Sequence, residues 1–142
     1  MADYDRNNVF ARILKGELPA HKIYEDAQTL ALLDIMPRSE GHALVIPKHP
    51  VRNMLDCPAD VLAAVTATTQ KLAQAAIKAF AADGVTIQQF NEAAGGQEIF
   101  HLHVHVLPRH EGAVLRPPGK MGDQELLKKH AEMWRAALIQ EF

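Results

Sequence analysis

Three histidines fall within five residues, His101-Leu102-His103-Val104-His105, and the run continues as Val106-Leu107-Pro108-Arg109. Side chains alternate faces along a strand, so the three imidazoles would project together while Leu102, Val104 and Val106 turn to the core. The pattern predicts a half-buried strand over 99–107 whose open face carries imidazoles. A neutral imidazole is a nucleophile near pH 7, and its tautomer is set by what its other ring nitrogen bonds. Neighbouring imidazoles can bind phosphoryl oxygens or pass a proton, since their ordinary pKa lies near ~6.5. Nucleophilic chemistry on phosphorus is therefore one reading.

A zinc site is the other. At ~3.3 Å per residue the Cα atoms of His101 and His105 stand about 13 Å apart, whereas zinc draws its nitrogens to within ~2.0–2.1 Å of one point. Adjacent members could share an ion, but all three would be strained to do so. Cys57 is the one cysteine in the chain, which removes both a Cys-x-x-Cys site and an internal disulfide. Just upstream, Gly95-Gly96-Gln97 could offer backbone N–H groups and an amide to a phosphate in the same cleft.

These residues need elements to position them. Phe10, Ile13 and Leu14 share one face of a short helix over 9–15, which Gly16 closes. Strands are predicted at 22–25, 30–35 and 42–47, separated by turn-forming groups, and again at 85–90. Between them a long helix over 58–82 carries the apolar stripe Val61, Val65, Leu72, Ala76 and Phe80, with Asp83-Gly84 ending it. A final helix over 123–139 would bury Leu126, Leu127, His130, Trp134 and Leu138, with Trp134 a packing residue. The sum is an α+β fold: a five-stranded, mostly antiparallel sheet with one long helix and a C-terminal helix.

Bulk composition narrows the class. A chain of 142 residues, 48% hydrophobic and 23% charged, is expected to form one globular domain, 1–142, with its core at 9–109 and a helical extension at 123–142. A net charge of −2 argues against a nucleic-acid partner. Residues 1–8 are too polar for a signal peptide, and no apolar run approaches the ~18–20 residues that span a bilayer. A cytoplasmic enzyme with no membrane partner is the expectation.

The run Gly-Gly-Gln-Glu-Ile-Phe-His-Leu-His-Val-His-Val-Leu-Pro-Arg resembles the signature of the histidine triad superfamily, His-φ-His-φ-His-φ-φ with φ apolar. Other segments match in order: 10–20 resembles its opening helix, Leu32-Leu33-Asp34-Ile35 its ribose-binding strand, and 41–49 its second histidine segment. Asn91 resembles the asparagine ahead of the triad. The resemblance covers 9–109 and implies an HIT-like fold. It implies that His103 is the nucleophile carrying a transient nucleotidyl group. His105 would bind phosphate oxygens, His101 would order the site, and His42 would support the triad. Asp34 would accept from both ribose hydroxyls, and Phe10, Ile13, Leu32 and Ile35 would line the base pocket. Asn91, Gly96 and Gln97 would serve the phosphate side.

The Asn91–Gln97 segment and the Ile46-Pro47-Lys48-His49 run look closer to the Hint-like branch, which hydrolyses nucleoside phosphoramidates, than to the Fhit-like branch, which cleaves dinucleoside polyphosphates. A uridylyl transferase would carry glutamine where His105 stands. The non-enzyme alternative is a nucleotide-binding interaction module with vestigial turnover. A small purine nucleotide is the implied substrate and a homodimer with a continuous ten-stranded sheet the implied assembly, with 85–90 and 58–82 at the interface. No cofactor is expected, because histidines and loop N–H groups would meet the charge on phosphorus. Some similar bacterial chains hold a structural zinc with Cys-x-x-Cys and two histidines. Here Asn8-Val9-Phe10-Ala11 stands in place of the cysteines. His49 and His101 remain, so no structural zinc is expected.

Overall fold

The computed structural model describes residues 3–139; residues 1–2 and 140–142, the ends of the expected 1–142 domain, lie outside it. The elements in chain order are α1 (Val9–Leu14), β1 (Lys22–Glu25), β2 (Thr29–Leu33), β3 (Ala43–Pro47), α2 (Ala59–Phe80), β4 (Gly84–Gln88), β5 (Val104–Arg109) and α3 (Gln124–Ile139), with 3-10 turns at Met54–Asp56 and Ala93–Gly95. The strands form one five-stranded sheet in the order β1-β2-β3-β5-β4, every neighbouring pair antiparallel. The expected α+β architecture is the one found.

Alternation along the central strands splits the core into two layers. Ala31, Leu33, Ala43, Val45, Val104 and Val106 face α2 and α3, where Val65, Leu72, Trp134 and Leu138 meet them. Leu30, Leu32, Leu44 and Ile46 face the other way, onto Phe10 and Ile13 of α1. Both faces of β2 and β3 are therefore covered, which accounts for their uninterrupted burial. His105 alternates with Val104 and Val106 and pairs with Leu44 across β3, so it lies on the α1 face.

Three expectations need correction. The histidine strand begins at Val104, not near Ile99, so His101 and His103 precede the ladder. Nor is the histidine face open: His101 is fully buried, and α1 covers what a two-layer fold would leave wet. On α3, Leu126 is exposed while Leu127, His130, Trp134 and Leu138 are buried.

The turn leading into β3 is fixed by packing. Gly41 has φ +79, and a Cβ there would lie 2.4 Å from the Phe80 ring, so glycine is required on both counts. Its carbonyl accepts from the buried Trp134 Nε1–H at 2.8 Å. The last helix thereby holds the residue preceding His42. No helix among the described residues is long and apolar enough to cross a membrane.

Candidate active site

The hydrogen bonds around the histidines settle their tautomers. His103 Nδ1 lies 2.7 Å from the His101 carbonyl, and a carbonyl can only accept. Nδ1 therefore carries the proton, and the Nε2 of a neutral ring keeps its lone pair. At the neighbouring site the Arg38 backbone N–H donates to His42 Nδ1 at 3.1 Å. In a neutral His42 the proton is then on Nε2, which donates to His105 Nδ1 at 2.9 Å. His105 must in turn carry its proton on Nε2. The result is a nucleophilic lone pair on one ring beside an N–H donor on the next, with ring centroids 5.2 Å apart.

Burial keeps these rings neutral. It depresses His42 to about 3, with the charges of His105 and Arg38 adding to the effect. His105 falls to about 4, mainly from burial, with His103 and Arg38 contributing. Burial also lowers His103, opposed by its bond to the His101 carbonyl. Asp34 moves up from the usual carboxylate range, driven by burial and then by the charge of Glu98, against the bond from the Met36 N–H. Its second oxygen lies 3.6 Å from His42 Nε2.

These groups line a cleft of about 620 Å³, within the size range of small-molecule sites. Phe10, Ile13, Leu32 and Ile35 form part of its apolar wall, and Asp34, His42, His103, His105 and Gly96 line the same space. Phe10 packs on the His103 ring at 5.0 Å and Phe90 on His105 at 5.6 Å.

His101, Asn91 and Gln97 are placed outside this wall. His101 donates from Nε2 to the Pro47 carbonyl at 2.9 Å, and its Nδ1 meets the Tyr4 hydroxyl. The Asn91 amide is engaged by Gln89 and by the Met54 N–H. Gln97 is buried and saturated: its oxygen accepts from Asn53 and from the Glu92 N–H, while its nitrogen donates to the Arg52 and Ile99 carbonyls. The backbone N–H groups of Gly95, Gly96 and Gln97, expected to face phosphate, donate instead to Glu92 and Ala93 within the loop. The loop is braced rather than open.

Asp34, His42 and His105 bring one ligand atom each to within 4.8 Å of one another. The hydrogen pattern opposes an ion there, because the Arg38 N–H holds His42 in the tautomer whose Nε2 has no free lone pair. At the expected-absent zinc site, Asn8 caps α1 by accepting from the Ala11 N–H, His49 is exposed, and both nitrogens of His101 are engaged.

Sequence reasoning missed Arg38, whose backbone sets the His42 tautomer, and Leu44 and Phe90, which line the cleft. It also missed Pro118-Gly119, which close the cleft from beyond the expected core; their segment is tied back by the Arg116 N–H to the Arg38 carbonyl and the Gly122 N–H to the Ile35 carbonyl. The alternation of β3 signals Leu44, whereas no local pattern marks the others.

A cluster of neutral imidazoles, one on β5 and the others on the residues just ahead of β3 and β5, lining an apolar cleft defines the class. The chain belongs to the HIT domain family, whose profile matches residues 15–112. It is 41% identical over 103 residues to the adenylylsulfatase HINT3 of Arabidopsis thaliana, covering 72% of this chain and 52% of that one, so the match spans about half of that relative's length. It is 33% identical over 136 residues to the adenosine 5'-monophosphoramidase HNT1 of Saccharomyces cerevisiae, covering 93% and 84%. The Hit-like protein of Bartonella henselae, described as involved in cell-cycle regulation, superposes with a TM-score of 0.92 at 46% identity, covering 96% of this chain and 99% of that one.

Proposed function

We propose that this protein hydrolyses purine nucleoside phosphoramidates at the α-phosphorus through a nucleotidyl-His103 intermediate. The observation that carries this is the tautomer pair: a lone pair on His103 Nε2 beside a donor on His105 Nε2. His103 forms the P–N bond as the bond from phosphorus to the leaving amine breaks, and the amine departs with a proton from solvent. The His105 N–H stabilises the charge on the non-bridging oxygens. Water then attacks phosphorus and releases a proton to solvent, the bond to His103 breaks, and nucleoside monophosphate leaves with neutral imidazole restored. The apolar wall of Phe10, Ile13 and Leu32 suits a purine face, and Asp34 suits the ribose hydroxyls.

The relatives named for adenylylsulfatase and adenosine 5'-monophosphoramidase activity differ in the leaving group that their names imply. A panel of adenosine 5'-phosphoramidate, adenylyl sulfate and diadenosine polyphosphate tests the choice. The highest kcat/KM is expected with the phosphoramidate; turnover confined to the polyphosphate would reject the reading.

Asp34→Asn is expected to weaken AMP binding about tenfold and 2'-deoxy-AMP binding less, since a charged acceptor bond contributes roughly 1.5–3 kcal/mol and a lone hydroxyl uses only part of it. Calorimetry giving equal losses for both nucleotides would contradict the ribose role.

We also propose a homodimer whose sheets join through β4. This strand is a sheet edge, and Ile87 on it and Ile77 on α2 are both 45% exposed. Sedimentation at micromolar concentration is expected to give twice the chain mass, and a monomer would contradict it.

A further inference from the structure

Because β5 begins only at Val104, the nucleophile's segment is not held by the ladder. Residues 101–103 are anchored by the Leu102 N–H to the Val51 carbonyl at 2.9 Å, by burial of Leu102, and by a clamp on the His101 ring. On one side of the clamp Nε2 lies 2.9 Å from the Pro47 carbonyl, which can only accept, so Nε2 carries the proton. His101 is fully buried, so the ring is neutral and Nδ1 presents a lone pair. On the other side is the Tyr4 hydroxyl, which must therefore donate to that lone pair. The Tyr4 ring also packs edge-on against His101, with centroids 5.7 Å apart.

Tyr4 belongs to the stretch ahead of α1, eleven residues before the matched family region begins at 15. It contributes nothing to the cleft wall. The residue it clamps is the one whose carbonyl accepts from His103 Nδ1, the bond that leaves the nucleophilic lone pair on Nε2.

We infer that Tyr4 is a positioning residue for the nucleophile: its hydroxyl locks the His101 ring, and through the His101 backbone it fixes the tautomer and aim of His103. The inference rests on the nucleotidyl-transfer reading for its kinetic consequence, and on the hydrogen bonds alone for the tautomers. A phenol this far from the substrate acts on the rate and leaves affinity alone, because the groups that hold nucleotide do not touch it.

The test is Tyr4→Phe, which keeps the ring and removes the donor. Single-turnover kinetics with adenosine 5'-phosphoramidate are expected to show the nucleotidylation rate reduced about five- to tenfold, the rate equivalent of one net hydrogen bond, with KM unchanged. Long-range ¹H–¹⁵N spectra of the histidine rings supply the second readout. The wild type is expected to show His101 protonated on Nε2 and His103 on Nδ1, and Tyr4→Phe to show mixed tautomers at both. A wild-type His101 protonated on Nδ1 would overturn the inference without any variant, as would Tyr4→Phe spectra and rates matching the wild type. If the wild type does not turn over the phosphoramidate, the functional reading fails. The ring spectra then decide Tyr4's role by themselves.

Discussion

His103→Ala is expected to lower turnover by at least about 10³-fold while nucleotide affinity stays within a few-fold of wild type. In the proposed mechanism His103 forms its bond to phosphorus only on the way to the transition state, so removing it should cost rate rather than ground-state binding. In the proposed function affinity is carried elsewhere, by Asp34 and by the wall of the cleft around Phe10, Ile13 and Leu32. The truncation leaves the anchors of the segment in place, because Leu102 still donates to Val51 and the His101 ring still bonds Pro47. The check is kcat with adenosine 5'-phosphoramidate beside calorimetric titration with AMP. A variant that turns over near the wild-type rate would remove His103 from the chemistry. One that loses binding and rate together would make it a binding group instead.

Acid is expected to unfold this protein earlier than its carboxylates alone would suggest. His42 sits at about 3 and His101 and His105 at about 4, all below the ordinary value. Between pH 6.5 and those values the unfolded chain binds protons that the folded chain refuses, so stability rises with pH across this window and falls as pH drops through it. Above the unfolded pKa the contribution is fully present. Each buried ring costs about 2 kcal/mol at pH 5, so the three together cost on the order of 4–6 kcal/mol relative to pH 7. That is a large share of a typical domain's stability and corresponds to a Tm lower by more than about 10 °C. Asp34, raised by burial, works in the opposite direction, whereas His103 and His130, both lowered by burial, add to the three. The lowered carboxyl of Asp26 acts below this window. Thermal melts at pH 7.5 and 5.0 measure the difference, and equal midpoints would show that the histidines are solvated.

Much of the fold is legible in period and punctuation. The stripe Val65, Leu72, Ala76, Phe80 marks α2, and the short uninterrupted apolar run 43–47 between turn residues marks β3, because both patterns are set by burial against a neighbour. The helix end was less legible: Ala81, at φ +49, turns the chain before the Asp83-Gly84 pair that signals a stop. The start of β5 is hidden for a related reason. Residues 99–103 alternate like a strand, yet their backbone groups have no ladder partner, and alternation reports burial on two sides rather than pairing.

At the site, the sequence marks residues that carry chemistry by their own type. His103, His105, His42 and Asp34 come together in one cleft from segments up to 71 positions apart. It does not mark residues that act through a backbone group or by saturation. Arg38 matters through its N–H, which any residue but proline could supply. Gln97 and Asn91 have the right chemistry for phosphate, but Asn53, Glu92, Gln89 and Met54 use their hydrogen-bonding capacity first. Polar capacity is spent on whichever partner is nearest in space, and that is visible only once the loop 92–97 is folded against 51–54.

The covalent intermediate is tested most directly by the stereochemical course at phosphorus. An adenosine 5'-phosphorothioate analogue of the phosphoramidate, of defined configuration, is hydrolysed in ¹⁸O-water and the configuration of the product determined. Attack by His103 followed by attack by water inverts phosphorus twice, so retention is predicted. Net inversion would mean that water attacks the substrate directly, and the His103 intermediate would be excluded.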